Sequence, residues 1–246
     1  IGLAIATELA QENAEVVVNG RTAARVAAAI EQIKAAAPEA VVWGVAADLS
    51  HAEGVAHLLV ACPKVDGLVN NLGIYSASDF ETTPDAEWLR FFETNVLSGV
   101  RLARHYLPQM KAQNWGRIVF VSSESALNAP AEMVHYGMTK AAQLSVARGL
   151  AQTTAGSGVT VNSVLPGPTR SEGVGTFFAE LAAAQGVSLA EAEQAFFAHA
   201  RPTSLLKRFI EPAEVAALVA YVCSPRSAAT NGAALRVDGG IVNSMA

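Results

Sequence analysis

Most of the apolar runs in this chain are unbroken, and that limits the folds open to it more than any other feature. Six runs, at residues 15–18, 41–45, 67–69, 117–121, 159–164 and 233–237, are rich in Val, Ile and Leu. A strand with one wet face alternates apolar and polar residues, whereas a strand covered by helices on both faces is apolar throughout. The runs therefore predict a mostly parallel, buried sheet. Between them lie helical patterns at 3–12, 22–37, 51–59, 84–113, 135–154 and 212–222, rich in Ala, Leu, Glu, Gln and Arg. This alternation predicts one doubly wound α/β domain over residues 1–246, with helices on both faces of the sheet. A chain of 246 residues that is 51% apolar and 16% charged can fill the core of such a domain. We find no internal repeat, low-complexity tract or Gly/Ser linker that would divide it.

Charge and composition narrow the partners. Lys and Arg number 17 against 22 Asp and Glu, a formal net charge of -5. No basic excess is left to neutralise phosphates, so nucleic acid is not an expected partner. No apolar run approaches the roughly 18 residues of a membrane helix, so no membrane partner is expected either. Residues 1–6 lack a basic stretch followed by a cleavage site and are not read as a signal peptide. Cys62 and Cys223 give no disulfide framework, and both are read as core thiols of a reduced, cytoplasmic protein. His51, His57, His105, His135 and His199 are scattered without metal-ligand spacing, so no metal is expected. His135 is read as a packing or surface residue, because successive helical side chains point in different directions. Trp43, Trp88 and Trp115 are read as core or interface aromatics.

Residues 171–211 break the rhythm, because two helical patterns, 172–186 and 188–200, follow one another with no strand between them. Phe177, Phe178, Phe196, Phe197, Leu205, Leu206 and Phe209 concentrate apolar surface there. Ligands of such sheets bind at the carboxyl ends of the strands. The segment is therefore read as an inserted helical substrate lid, the plainer alternative being a helical cap on the core.

Three residues point to proton chemistry. Tyr136-Gly-Met-Thr-Lys140 opens a helical pattern, and its i,i+4 spacing sets phenol and ammonium on one face. With four Tyr and five Lys, a chance Tyr-x-x-x-Lys is expected only about 0.08 times, but the motif still needs context. Ser123 supplies it: it follows Ile118-Val119-Phe120-Val121 and precedes Tyr136 by thirteen residues, where a strand-end hydroxyl can face a helix-start phenol. A phenol with a pKa of about 10 is a poor acid or base at neutral pH. Lys140 is expected to lower the Tyr136 pKa, and Ser123 to hold a substrate oxygen beside the phenol. Singly, each residue reads as a strand-end cap or a helix-face polar pair; jointly they read as a reacting site.

Three turns complete the pattern. Asn70-Asn71-Leu72-Gly73 follows the run at 67–69, where a nucleotide can lie against exposed backbone, although Asn and Gly also serve ordinary turns. Asn162-Ser-Val-Leu-Pro166-Gly167 closes the run at 159–164 with a rigid turn able to meet a planar amide, and Ser171 can add a hydroxyl. Val237-Asp238-Gly239-Gly240 is read as structural.

Taken together, Ser123, Tyr136-x-x-x-Lys140, Asn70-Asn71-x-Gly73, Asn95, Asp48, Pro166-Gly167 and the Val-Asp-Gly-Gly ending stand in an order that resembles the short-chain dehydrogenase/reductase family over nearly the whole chain. The resemblance implies a Rossmann-type fold and a Tyr-dependent oxidoreductase. In that reading NADP(H) or NAD(H) exchanges hydride with a carbonyl or alcohol carbon, and Tyr136 exchanges the proton on its oxygen. The implied catalytic set is Ser123, Tyr136, Lys140 and Asn95, with Ser123 orienting the substrate oxygen and Lys140 also holding the nicotinamide ribose. Asn95 is implied to seat a water that relays protons to Lys140. Implied cofactor contacts are Ile1 and Gly2, Arg21, Asp48 and Leu49, Asn71 and Gly73, Tyr136 and Lys140, and Pro166, Gly167, Thr169 and Ser171. A homo-oligomer, tetramer or dimer, is implied through the helices bearing Asn95 and Tyr136, where Leu97, Val100, Leu102, Leu144 and Val146 offer apolar surface.

The family opens with a strand and a Thr-Gly-x-x-x-Gly-Ile-Gly turn that cradles pyrophosphate at a helix N-terminus, and of this only Ile1-Gly2 stands here. That strand belongs in the middle of the sheet. We therefore expect a gap in the core, and either a fragment of a longer chain or a segment absent from the sequence as given. The run at 16–18 leads into Asn19-Gly20-Arg21 with no acid to bind free ribose hydroxyls. Arg21, with Arg25 one turn later, is placed to clamp a 2′-phosphate, so NADP(H) is expected over NAD(H). The nearest alternative activity is a 3-oxoacyl thioester (acyl-carrier-protein) reductase. Asn114 and Ser157 stand where basic residues would meet an acidic carrier, which leans away from it. A reading of another class is a non-catalytic nucleotide-sensing or scaffold protein, against which the intact Ser123, Tyr136 and Lys140 argue.

Overall fold

The computed structural model describes residues 1–245, with side chains for all of these except Glu172 and Phe177. In chain order the first half runs α1 (Gly2–Gln11), β1 (Val16–Gly20), α2 (Ala23–Ala36), β2 (Val42–Ala46), α3 (Ala52–Ala61), β3 (Gly67–Asn70) and α4 (Asp85–Phe92). The second half runs α5 (Ser98–Ala112), β4 (Gly116–Val121), α6 (Val134–Thr153), β5 (Val159–Pro166), α7 (Glu172–Gln185), α8 (Leu189–Ala195), α9 (Pro212–Cys223) and β6 (Ala234–Val237).

Every strand pair is parallel. The strands form two sheets, β1-β2 and β3-β4-β5-β6. This is the α/β, helix-covered architecture that the unbroken apolar runs predict, and the expected mid-sheet gap falls between β1 and β3. A cavity of about 1660 Å³ occupies it, lined by Val17 and Val18 of β1 and Leu68 and Val69 of β3.

The central strand β4 shows why its run Ile118–Val121 is unbroken. Ile118 and Phe120 of β4 enter a core with Leu102, Tyr106 and Met110 of α5 and Ala147 of α6. Val119 and Val121 point the other way, into a core with Ile5 of α1 and Val215 and Val219 of α9. Each alternate side chain thus meets a helix layer, and no position on the strand is left to a polar residue facing water. A third cluster joins α1 and α2 to the smaller sheet through Ala6, Ile33, Val16 and Val42.

The pattern at 84–113 is one long helix interrupted by a π-helical turn at Glu93–Leu97, which separates α4 from α5. Leu102, whose apolar surface suits an oligomer or a single core equally, is buried in the core. Beyond β5, α7 and α8 lead into a second π-helical turn at Phe196–Ala200. The aromatics of this insertion mostly pack on one another rather than face a ligand. Phe178, Phe196, Phe197 and Phe209 pair at ring-centroid distances of 4.9 to 5.4 Å. Phe178, Phe197 and Phe209 are buried. The insertion therefore carries its own small core, while Leu205 is 81% exposed. The Phe177 side chain lies outside those described.

Candidate active site

The carboxyl ends of β3, β4 and β5 gather the residues singled out from the sequence. Just past β4, the Ser122 hydroxyl donates to the main-chain carbonyl of Lys140 at 2.9 Å and pins α6 to the strand end. Gly137 lets α6 come close: a Cβ there would meet the Ala129 Cβ at 2.6 Å and the Ser125 carbonyl at 3.2 Å. Tyr136, in the first turn of α6, is thereby set beside Ser123.

The electrostatics of the pair differ from the expectation. Burial pushes the Tyr136 phenol up to about 12, the Glu124 carboxylate and Tyr75 push the same way, and a hydrogen bond with Ser123 opposes them. Lys140 does not lower it. The ammonium lies 5.6 Å from the Tyr136 ring centroid and is turned to the Val121 carbonyl at 3.1 Å and to Gln143 Oε1 at 3.2 Å. Burial brings Lys140 itself down to about 8. Desolvation of both groups outweighs their mutual attraction. At neutral pH the phenol holds its proton and the ammonium is still mostly charged.

Ser123 is held as tightly as its partners. Its hydroxyl donates to Glu124 Oε2 and accepts from the Ser125 amide at 3.1 Å. Glu124 is itself buried, and its Oε2 also accepts from the Ser125 hydroxyl at 2.7 Å. Arg201, past the second π-helical turn, brings its Nε to 4.0 Å from Glu124 Oε1 and its Nη1 to 3.6 Å from Glu132.

Asn95 sits in the first π-helical turn with its side chain fully used. Oδ1 accepts from the Ile74 amide at 2.8 Å, and Nδ2 donates to the Ile74 carbonyl at 3.0 Å and to the Thr139 hydroxyl at 2.9 Å. These bonds fix the turn after β3 against α6. The Asn95 carbonyl accepts from Gln143 Nε2 at 2.6 Å, which ties the π-helical turn to α6.

The remaining positions divide in two. Gly2, Arg21, Asp48, Leu49, Asn71 and Gly73 all line the cavity that fills the gap between β1 and β3. Gly2 lies against the Asn71 amide, and a Cβ there would meet Nδ2 at 2.6 Å. Gly73 keeps space above the site, since a Cβ there would stand 3.4 Å from Lys140 Nζ. Asp48 accepts from the Ser50 amide and hydroxyl, bonds that hold its carboxyl below the usual range, and the nearby charge of Arg21 helps least. Leu49 buries its side chain in the core and leaves only its backbone to a ligand. Ile1 caps α1 from outside that cavity's lining.

Past β5, Pro166, Gly167, Thr169 and Ser171 form a tight, self-bonded turn. Thr169 Oγ1 donates to the Gly167 carbonyl at 2.9 Å, and Ser171 caps α7 by accepting from the Val174 amide. His135 packs edge-on against Phe91 with ring centroids 4.2 Å apart, which is the packing role read from its position. Asp238 accepts from the Gly240 and Val242 amides and is structural, as read.

Sequence reasoning passed over Tyr75, Glu124 and Gln143. Tyr75 stands edge-on to Tyr136 with ring centroids 6.5 Å apart. A Cβ on Gly173 of α7 would lie 3.3 Å from the Tyr75 hydroxyl. The signal for Glu124 was an acid directly beside Ser123 at a strand end; the signal for Gln143 was a long polar side chain three residues past Lys140, on the same helix face.

A half-buried Tyr beside a buried Lys and a strand-end Ser, at the carboxyl ends of a parallel sheet, is the arrangement of an oxidoreductase of the short-chain dehydrogenase/reductase class. A family model described as Enoyl-(Acyl carrier protein) reductase matches residues 1–242, and the chain belongs to that short-chain dehydrogenase/reductase family. Uncharacterized oxidoreductase YvaG of Bacillus subtilis (strain 168) is 47% identical over 245 residues, covering 100% of this chain and 93% of the relative. D-beta-hydroxybutyrate dehydrogenase of Rhizobium meliloti (strain 1021) is 29% identical, over 98% of this chain and 93% of its own. Among solved structures, L-sorbose reductase from Gluconobacter frateurii, complexed with NADPH and L-sorbose, superimposes with a TM-score of 0.92. It shares 29% identity and covers 99% of this chain and 93% of its own. No described helix is long and apolar enough to cross a membrane.

Proposed function

We propose that this chain interconverts a carbonyl and an alcohol on a small-molecule substrate, using NADP(H), with Tyr136 as the acid in reduction and the base in oxidation. The observation that carries the reading is the Tyr136 phenol set beside the Ser123 hydroxyl, with the buried Lys140 ammonium 5.6 Å from its ring. NADPH, when bound, supplies the hydride. The residues fit such a group: Gly73 leaves open the space beside Lys140 Nζ, and Arg21 with Arg25, at the start of α2, offers two cations to a 2′-phosphate. Asp48, Asn71 and the turn from Pro166 to Ser171 would hold the rest of the dinucleotide. Support also comes from the NADPH in the L-sorbose reductase structure.

At neutral pH the phenol carries its proton and can give it to the oxygen of a carbonyl as that oxygen gains charge. The Lys140 ammonium then faces the phenolate that remains, an attraction strengthened by the buried setting. Ser123 bonds the same oxygen once its hydroxyl turns from Glu124. The insertion at 171–211 closes over this point as a lid.

The 3-oxoacyl thioester alternative has less support. Asn114 Oδ1 accepts from the Gly158 amide at 2.9 Å, and the Ser157 hydroxyl donates to the Thr154 carbonyl, so both residues shape turns and present no cation to an acidic carrier. We read the protein as a homo-oligomer pairing through α4, α5 and α6, where Leu89 is 69% exposed. Its unpaired thiols Cys62 and Cys223 suit the cytoplasm.

The test is oxidation of NADPH by the purified protein against a panel of ketoses, 3-oxo acids, aliphatic ketones, a 3-oxoacyl thioester and an enoyl thioester. Turnover of one or more of the first three classes is expected. NADPH oxidation by none of the carbonyl compounds would overturn the reading.

A further inference from the structure

Lys140 is buried with an unusual set of partners. A buried ammonium is costly unless its donors are met, and the four-carbon stem lets it swing among acceptors. Here two of its three N–H donors are committed, one to the Val121 carbonyl at 3.1 Å and one to Gln143 Oε1 at 3.2 Å. Among the described residues no carboxylate pairs with it within 4.0 Å.

Gln143 is buried, and its amide can point only one way. Nε2 donates to the Asn95 carbonyl at 2.6 Å. The flipped amide would set its oxygen against that carbonyl and its N–H groups against the ammonium, two repulsions in place of two bonds. The carbonyl lies within the π-helical turn Glu93–Leu97, where the regular i to i+4 ladder is broken. The turn that fixes Asn95 therefore also fixes Gln143, and Gln143 in turn aims the ammonium.

We propose that Gln143 is a positioning residue for Lys140: anchored on the Asn95 carbonyl, its amide holds the ammonium against the Val121 carbonyl and leaves the third donor free on the side that Gly73 keeps open. This inference rests on the reading of Tyr136 and Lys140 as the reacting pair, but the contact itself does not depend on turnover. A neutral acceptor beside a buried cation favours the charged form. Removing it should make Lys140 lose its proton at lower pH, and replacing it with a carboxylate should make Lys140 hold its proton to higher pH. The other groups near the ammonium are the Tyr136 ring, the Val121 carbonyl and Asn95; both substitutions leave these residues in place and take away only the bond to the Asn95 carbonyl.

The experiment follows the Lys140 side-chain carbon resonance through a pH titration of the protein carrying labelled lysine, in the parent, Gln143→Leu and Gln143→Glu. Lys140→Met assigns the signal among the five lysines of the chain. The expected result is a midpoint about one pH unit lower for Gln143→Leu and higher for Gln143→Glu. The high-pH limb of NADPH-dependent turnover should move in the same two directions, with KM for the carbonyl little changed. Midpoints that stay put in both variants, or move the same way in both, would overturn the proposal and leave Gln143 as filler. If Gln143→Leu fails to fold, the isosteric Gln143→Glu decides alone. A parent that turns over no carbonyl would count against the proposed function, while the titration would still decide the role of Gln143.

Discussion

The Ser123 hydroxyl donates its proton to the buried carboxylate of Glu124, the next residue in the chain. The strand-end Ser expected to hold a substrate oxygen is therefore committed to an acid before any substrate arrives. The same carboxylate raises the phenol of Tyr136. Glu124 thus acts on both polar groups proposed to meet the reacting oxygen, and Arg201, past the second π-helical turn, approaches its other oxygen at 4.0 Å.

Glu124→Gln removes the charge and keeps the shape. The phenol of Tyr136 should then ionise at lower pH, by about one unit, because a like charge near a forming phenolate is gone. The phenolate absorbance of Tyr136 in a pH titration, taken as the difference from Tyr136→Phe, should move down with it. A pH profile superimposable on the parent would remove Glu124 from this role.

Lys140 links folding to pH. Its folded pKa of about 8 lies below its ordinary value of 10.5, so in that window the unfolded chain binds a proton that the folded one does not. Folding stability attributable to this group rises as pH climbs from about 8 to 10.5, and the penalty is fully present below 8. Lys140→Met should abolish the rise, a difference on the order of 2–3 kcal/mol between the ends of the window. Urea unfolding of parent and variant at several pH values measures it; parallel curves would contradict the assignment.

Arg21 stands exposed at the end of β1, directly before the α2 cap Thr22. Arg21→Ala should weaken NADPH binding about tenfold, the scale of one charge-assisted phosphate contact, and leave NADH nearly unchanged. Fluorescence titration with both cofactors checks this. Equal losses for the two would place the arginine elsewhere than at a 2′-phosphate.

Phe197 is buried at 2% exposure among Phe178, Phe196 and Phe209. Phe197→Ala should cost about 3 kcal/mol, felt mainly within the insertion because its aromatic cluster is separate from the main core. Hydrogen exchange should show residues 171–211 losing protection ahead of the sheet, with KM rising more than kcat falls. Uniform loss of protection across the chain would show that the insertion is not a separate unit.

The layered fold was readable because each strand and helix is long enough to show its period, and β4 is apolar at alternate positions for two different helix layers. The separation of β1-β2 from β3-β4-β5-β6 was readable because no apolar run stands in this sequence for a strand between them. The trio was readable from spacing alone, since Ser122 and Gly137 act only to bring its members together. Three things were not readable. The π-helical turns leave no mark in a 3.6-residue pattern, so the fixing of Asn95 and the use of its carbonyl by Gln143 were hidden. Glu124 reads as a turn acid until its burial is seen. The direction of the Tyr136 shift was misjudged because sequence shows that a cation is near, and not how far both groups are stripped of water. The two helices α7 and α8 follow β5 with no strand between them, and their phenylalanines serve a small core of their own.

The central claim is that the Tyr136 phenol passes the proton. The most direct measurement compares carbonyl-dependent NADPH oxidation by the parent and by Tyr136→Phe, with NADPH affinity and unfolding midpoint recorded for each. We expect the variant to fold and to bind NADPH within a few-fold of the parent, while kcat falls by about 10² to 10⁴, the range that loss of a positioned proton donor costs. A folded Tyr136→Phe protein that turns over at the parent rate would contradict the account.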